Sequence, residues 1–251
     1  LGTVVDGVRT LTADDERALG KRDAADAKAS LAKAGITADA VGDDYFKFLT
    51  SSIQSSMRRG QDQFGEQLLT PQGIRGFYES ASRLAQETGQ RTSLLAGGNT
   101  LLGASVTWAT LEAASLRGET AVAVLQRKAV EAQEAFDKDA SEVNRERLDA
   151  ATENLAVASN EQVAMGDRLK EAQALLNAAK AQRIQSEAAF KASTLRTDDT
   201  SGRNEVALTA LRDQRDVTTD VDERLRLDAQ INDMEAKVAK DEMDRIAALS
   251  L

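Results

Sequence analysis

The chain has no cysteine and no histidine. Zinc, copper, haem and iron–sulfur sites with the usual ligand sets are therefore excluded. So are a Ser-His-Asp triad and a cysteine nucleophile. Without thiols there is no disulfide framework, and redox compartment cannot be read from the sequence. Pro71 is the only proline in 251 residues, and aromatic residues make up 4%. What remains is rich in alanine, leucine, glutamate, glutamine, lysine and arginine, the strong helix formers. This balance predicts an all-α protein with a small N-terminal helical region, followed by long coiled-coil-like helices forming hairpins or an elongated bundle.

The composition changes near residue 104. Thirteen of the sixteen glycines lie at or before Gly103, and six of the nine aromatic residues lie between Tyr45 and Tyr78. Residues 1–103 carry 13 acids and 12 bases, and residues 104–251 carry 28 and 20, so nearly all of the net charge of −9 belongs to the second part. A compact helical region over 12–103 and solvent-washed helices beyond it are expected. The first eleven residues carry alternating β-branched residues and two glycines and are expected to form an extended arm or a single edge strand. The chain starts at Leu1, so a removed leader or a trimmed sequence is expected.

Helix boundaries are marked by side chains that satisfy free backbone groups at helix ends. Thr12 with Asp15 marks a start and Gly35 a stop. Thr37 caps a helix carrying Tyr45, Phe46, Phe48, Leu49 and Ile53. Thr70-Pro71 opens another, because proline at the first helical position forfeits no hydrogen bond. Its Ile74, Phe77, Tyr78 and Leu84 complete an expected aromatic core. Residues 104–193 read as a long helix or a helical hairpin. Its apolar stripe runs at spacings of three and four through Leu125, Ala129, Phe136, Leu148, Leu155, Met165 and Leu176. A break with Ser141 as the new cap is favoured over one continuous helix. Residues 194–204 read as a polar loop around Gly202. Residues 205–251 read as one or two helices, with Thr219 as the internal cap.

Chemical motifs are sparse. The acidic groups Asp14-Asp15-Glu16, Asp43-Asp44 and Asp198-Asp199 sit at helix starts or in a loop, where carboxylates favour the helix dipole without doing catalysis. None has the alternating ligands of a calcium loop. Gly97-Gly98 lacks the strand and the Gly-Lys-Ser/Thr of a phosphate loop. No cofactor and no metal are expected, and the acidic charge disfavours nucleic acid.

The most informative segment is residues 92–111, TSLLAGGNTLLGASVTWATL, twenty successive uncharged residues between Arg91 and Glu112. The length matches a bilayer-spanning helix, but Gly97, Gly98, Asn99 and Gly103 interrupt it. Three environments fit: a buried connection, a subunit-packing surface where small residues let backbones approach, or a segment that meets a membrane after a conformational change. Leu94, Leu95, Leu101, Leu102, Val106, Trp108 and Leu111 are the residues expected to carry that contact.

In composition the chain is similar, in a general way, to colicin receptor-binding hairpins, type III secretion translocator coiled coils, minor pilins of type IV secretion and phage tail or ejection proteins. Residues 92–111 are comparable with the uncharged tongue of α-helical pore-forming toxins of the cytolysin A type. The likeness is one of composition, so no functional residue is carried over. The leading expectation is a non-enzymatic, elongated structural or assembly protein of a bacterial or phage complex, of the secretion, pilus, tail or DNA-ejection kind. Homo-oligomer contacts or other subunits would cover its apolar stripes. An α-helical pore-forming or membrane-translocating protein is the alternative, acting through residues 92–111, and a coiled-coil adaptor the third. A secreted, periplasmic or virion-associated location is favoured over the cytoplasm.

Overall fold

The computed structural model describes residues 3–5, 8–10, 13–64, 70–196 and 199–249. The fold is all-α. Among the described residues the helices are α1 (Ala13–Lys33), α2 (Ala38–Val41), α3 (Asp43–Phe64), α4 (Pro71–Leu95), α5 (Thr100–Lys138), α6 (Glu142–Thr194), α7 (Thr200–Val217) and α8 (Val221–Leu249). Two short strands precede them, β1 (Thr3–Val5) and β2 (Val8–Thr10). They pair antiparallel, with Val4 opposite Arg9, so the expected arm or single strand is a small ribbon. Residues 1, 2, 6, 7, 11 and 12, including the expected cap Thr12, lie outside the described residues.

The chain divides in space into Leu1–Ala172 and Gln173–Leu251, with the division inside α6. The compositional change at 103/104 falls instead inside α5. Composition follows how many helices surround a segment, which changes gradually along α5, rather than where contacts between units cease.

In the first unit the N-terminal half of α5 is the central element. Gly103, Val106, Trp108, Ala109, Ala113, Ala114 and Gly118 are buried. Helices α1, α3 and α4 pack against α5. A helix enclosed on several sides needs no polar face, which accounts for the lack of charge before Glu112. Small residues set the spacing. A Cβ added at Gly89 would approach the Gly103 carbonyl oxygen to 2.7 Å, and one at Gly103 would approach the Gly89 oxygen equally closely. The Thr107 hydroxyl bridges the same crossing, donating to the Gly103 carbonyl at 3.1 Å and the Ala85 carbonyl at 3.3 Å.

Most starts and stops fall where their side chains direct. The Ile36 N–H donates to the Leu31 carbonyl at 2.9 Å around Gly35, whose φ of 83° suits glycine. Thr70 accepts from the Gly73 N–H at 3.2 Å at the head of α4. Asn99 accepts from the Leu102 N–H at 3.0 Å at the head of α5. The chain breaks between Lys138 and Glu142. There Asn144 donates its amide to the Asp139 carbonyl at 2.8 Å, and α6 runs back antiparallel along α5.

Three expectations are corrected. The helix capped by Thr37 ends after one turn, because Gly42 takes a φ of 87°, and α3 starts afresh at Asp43. The loop expected over 194–204 is shorter. Asp199 caps α7 by accepting from the Gly202 N–H at 2.8 Å, which places Gly202 in the first helical turn. At the head of α8 the cap is Asp220, accepting from the Glu223 N–H at 2.9 Å, rather than Thr219.

In the second unit α7 and α8 form an antiparallel pair. It is registered by Arg212 with Glu235 at 2.7 Å, Asn204 with Asp241 at 2.7 Å and Arg215 with Asp228 at 3.7 Å. Leu208, Ala210, Leu227 and Ile231 are its buried apolar residues. The Asn177 amide of α6 donates to the Thr219 hydroxyl at 3.1 Å.

Candidate functional site

Residues 92–111 do not form one surface. Leu94 and Leu95, at the end of α4, are 77% and 65% exposed. Gly97 and Gly98 turn the chain with φ of 68° and 85°. Leu101 and Leu102, in the first turn of α5, are half-buried. Val106 is 0% exposed, and Trp108 and Leu111 are buried with it. The α4–α5 hairpin thus splits the candidate residues between a tip carrying two outward leucines and a helix enclosed by its own chain.

The aromatic residues divide in a similar way. Phe77 and Tyr78 are buried with ring centroids 5.5 Å apart. Phe48 faces outward and Tyr45 stacks on it at 6.0 Å, so the expected single aromatic core does not gather them all. On α3 it is Leu49 and Ile53 that are buried.

A polar ladder joins α4 to α6. Arg75 donates to Glu161 at 2.9 Å, the Tyr78 hydroxyl donates to the Gln162 side-chain oxygen, and Arg168 donates to the Ser82 hydroxyl at 3.1 Å. The partners differ by 86, 84 and 86 residues, so the two helices run parallel. Gln162 also donates to the Ser115 hydroxyl of α5 at 3.1 Å, tying three helices together. The Tyr78 phenol is pushed above its ordinary titration range, first by burial and then by the Glu119 and Glu161 carboxylates. It therefore remains a donor, and the network is satisfied as it stands. This arrangement fixes the register of the three helices. The sequence held one signal for it: Gln162 occupies an inward position of the α6 stripe, between Ala158 and Met165, where an apolar residue is otherwise found.

Two ion pairs hold α1 to α5. Asp23 and Arg117 are both largely buried and meet at 2.6 Å. Lys33 meets Glu112 at 2.6 Å, and that hydrogen bond raises the lysine above its ordinary range.

The acidic groups are dispersed. Asp43 and Asp44 are exposed in the first turn of α3, with Lys47 3.6 Å from Asp44. Asp199 is occupied as a cap. Asp198 and the side chains of Asp14, Asp15 and Glu16 lie outside the described residues. Among the described residues no group of three or more carboxylates is placed to hold a metal ion. No helix among them is long and apolar enough to cross a membrane.

Open grooves in the second unit lie between α6 and α7, one of them reaching α8 as well. One is lined by Ala188, Leu211, Gln214, Met234 and Lys237, the other by Ile184, Lys191, Leu195, Val206 and Asp213. No family model, curated protein or solved structure matches the chain.

Proposed function

We propose that this protein is a non-enzymatic helical component of a larger assembly, with other subunits covering its outward apolar positions. The observation that carries the reading is where the large apolar side chains lie. Val163, Leu175, Phe190, Leu225 and Met243 project from α6 and α8 more than half exposed. Beyond Leu176, α6 buries no residue among those described. Long helices whose seams are largely alanine gain little from their own packing, at about 25 cal/mol per Å² of apolar area. Association of such helices supplies the missing burial. The narrower expectation of secretion, pilus, tail or ejection machinery rests on composition.

One observation favours the membrane alternative: the uncharged α4–α5 tip with Leu94 and Leu95 outward. Vesicle flotation separates the two. On the assembly reading the full chain stays with the soluble fraction for neutral and for anionic vesicles, and Leu94→Asp changes nothing. Flotation of the chain that Leu94→Asp abolishes would overturn the reading in favour of membrane action.

A further inference from the structure

Helix α8 carries two apolar stripes on opposite sides. The first contains Leu227 and Ile231 and is buried as α8 packs on α7. The second runs through Leu225, Ala229, Asn232, Ala236, Ala239 and Met243, at spacings of 4, 3, 4, 3 and 4. At about 100° per residue these six positions share one narrow face, roughly opposite the first. All six are exposed, Leu225 at 63% and Met243 at 70%. A three-four repeat is the pattern of a coiled-coil seam, and here it spans about 27 Å of helix.

We propose that this seam binds the same seam of a second copy of the chain, with the two α8 helices parallel and in register. The proposal rests on the assembly reading above and names its partner, face and orientation. Two features select them. The first is Asn232, the one polar residue in the seam. In a parallel pair both Asn232 amides fall in one layer and hydrogen-bond to each other. In an antiparallel pair Asn232 faces Ala236 or Met243 and loses a partner on burial.

The second feature is charge. One edge of the seam carries Asp228, Glu235 and Glu242, and the other carries Arg226, Asp233 and Lys240. Antiparallel helices would set the acidic edge against itself. Parallel helices set Glu235, which also has Arg212 of its own chain 2.7 Å away, against Lys240 of the second copy, twice by symmetry. They also bring Asp228 towards Asp233, but Asp228 already has Arg215 of its own chain 3.7 Å away. The same acidic edge opposes docking on an anionic bilayer.

The absence of native cysteine makes the test direct. Leu225→Cys and Met243→Cys are made singly in the full chain and oxidised gently, with exposed Glu153→Cys on α6 as a collision control. The expected result is a covalent dimer from each seam variant alone and none from the control. A dimer that forms only when the two variants are mixed means antiparallel helices and overturns the proposed orientation. No seam dimer in any sample overturns the proposal. The double variant Leu225→Asp, Met243→Asp is then weighed by sedimentation, with circular dichroism to show retained helix. It is expected to lose the two-chain species. If the wild-type chain associates and the double variant associates equally, α8 is not the interface, and only the assembly reading survives. If the wild-type chain is monomeric, the proposal fails, and assembly must depend on other subunits.

Discussion

The Tyr78 hydroxyl donates to the Gln162 side chain directly over the backbone of Gly118, so three helices meet at one point without room for a methyl group. A Cβ built at Gly118 would overlap the phenol oxygen and crowd the Gln162 oxygen. Gly118→Ala is therefore expected to destabilise the first unit by about 1–3 kcal/mol through overpacking. Tyr78→Phe is expected to cost a similar amount, about 1–3 kcal/mol, by leaving the Gln162 oxygen without its donor. The two changes should not add, because Tyr78→Phe removes the oxygen that the methyl group of Gly118→Ala strikes first. Urea unfolding of both single variants and the double variant measures the coupling, and additive losses would contradict the geometry.

The same tyrosine gives a pH dependence. Burial raises its titration above the ordinary value of about 10. The unfolded chain thus releases this proton first as pH rises. The stabilisation is complete below about pH 10 and declines above it, by up to about 1.4 kcal/mol per pH unit until the folded phenol ionises. The difference in stability between wild type and Tyr78→Phe should be constant up to about pH 10 and smaller at about pH 11. A constant difference would mean that the phenol is not held in its buried, protonated form.

How much of this was legible beforehand depends on the range of the interaction. Gly35, Thr70-Pro71 and the break before Glu142 act within one helical turn, and their residue types suffice to identify them. Where two neighbours compete for one role, the sequence leaves a choice: Thr219 and Asp220 both suit a cap, and Asp220 takes it while the Thr219 hydroxyl accepts from Asn177. Gly42 looks ordinary until its positive φ separates α2 from α3. Residues 92–111 are harder still, because enclosure by several helices of the same chain requires the same uncharged residues as a subunit contact or a bilayer. The pairing of Tyr78 with Gln162 spans 84 residues and was signalled only by a glutamine inside an alanine-rich stripe.

The Asp23–Arg117 pair sets a second stability test. Both side chains are largely buried at a separation of 2.6 Å. Arg117→Met removes the 2.6 Å charged hydrogen bond to the largely buried Asp23, at an expected cost of about 1.5–3 kcal/mol. The exposed Arg183–Glu187 pair, 2.6 Å apart, should contribute little, and Arg183→Met is expected to be near neutral. Thermal unfolding that ranks the two the other way would contradict the burial described for α1 and α5.

Val106 and Leu94 separate folding from surface action within residues 92–111. Val106→Asp puts a carboxylate at a position 0% exposed, so loss of the fold of the first unit is expected rather than a selective loss of assembly. Leu94→Asp is made at an exposed position and should leave stability within about 0.5 kcal/mol. Circular dichroism melts of the two variants provide the check, and a folded Val106→Asp protein would remove α5 from the centre of its unit.

Sedimentation equilibrium of the full chain, over a hundredfold range of concentration and without detergent or lipid, tests the central claim most directly. The expected mass is that of two or more chains, falling towards one chain on dilution. A single-chain mass at every concentration would contradict association between copies of the chain, through α8 or any other face, and would leave the outward apolar positions to be covered by other subunits.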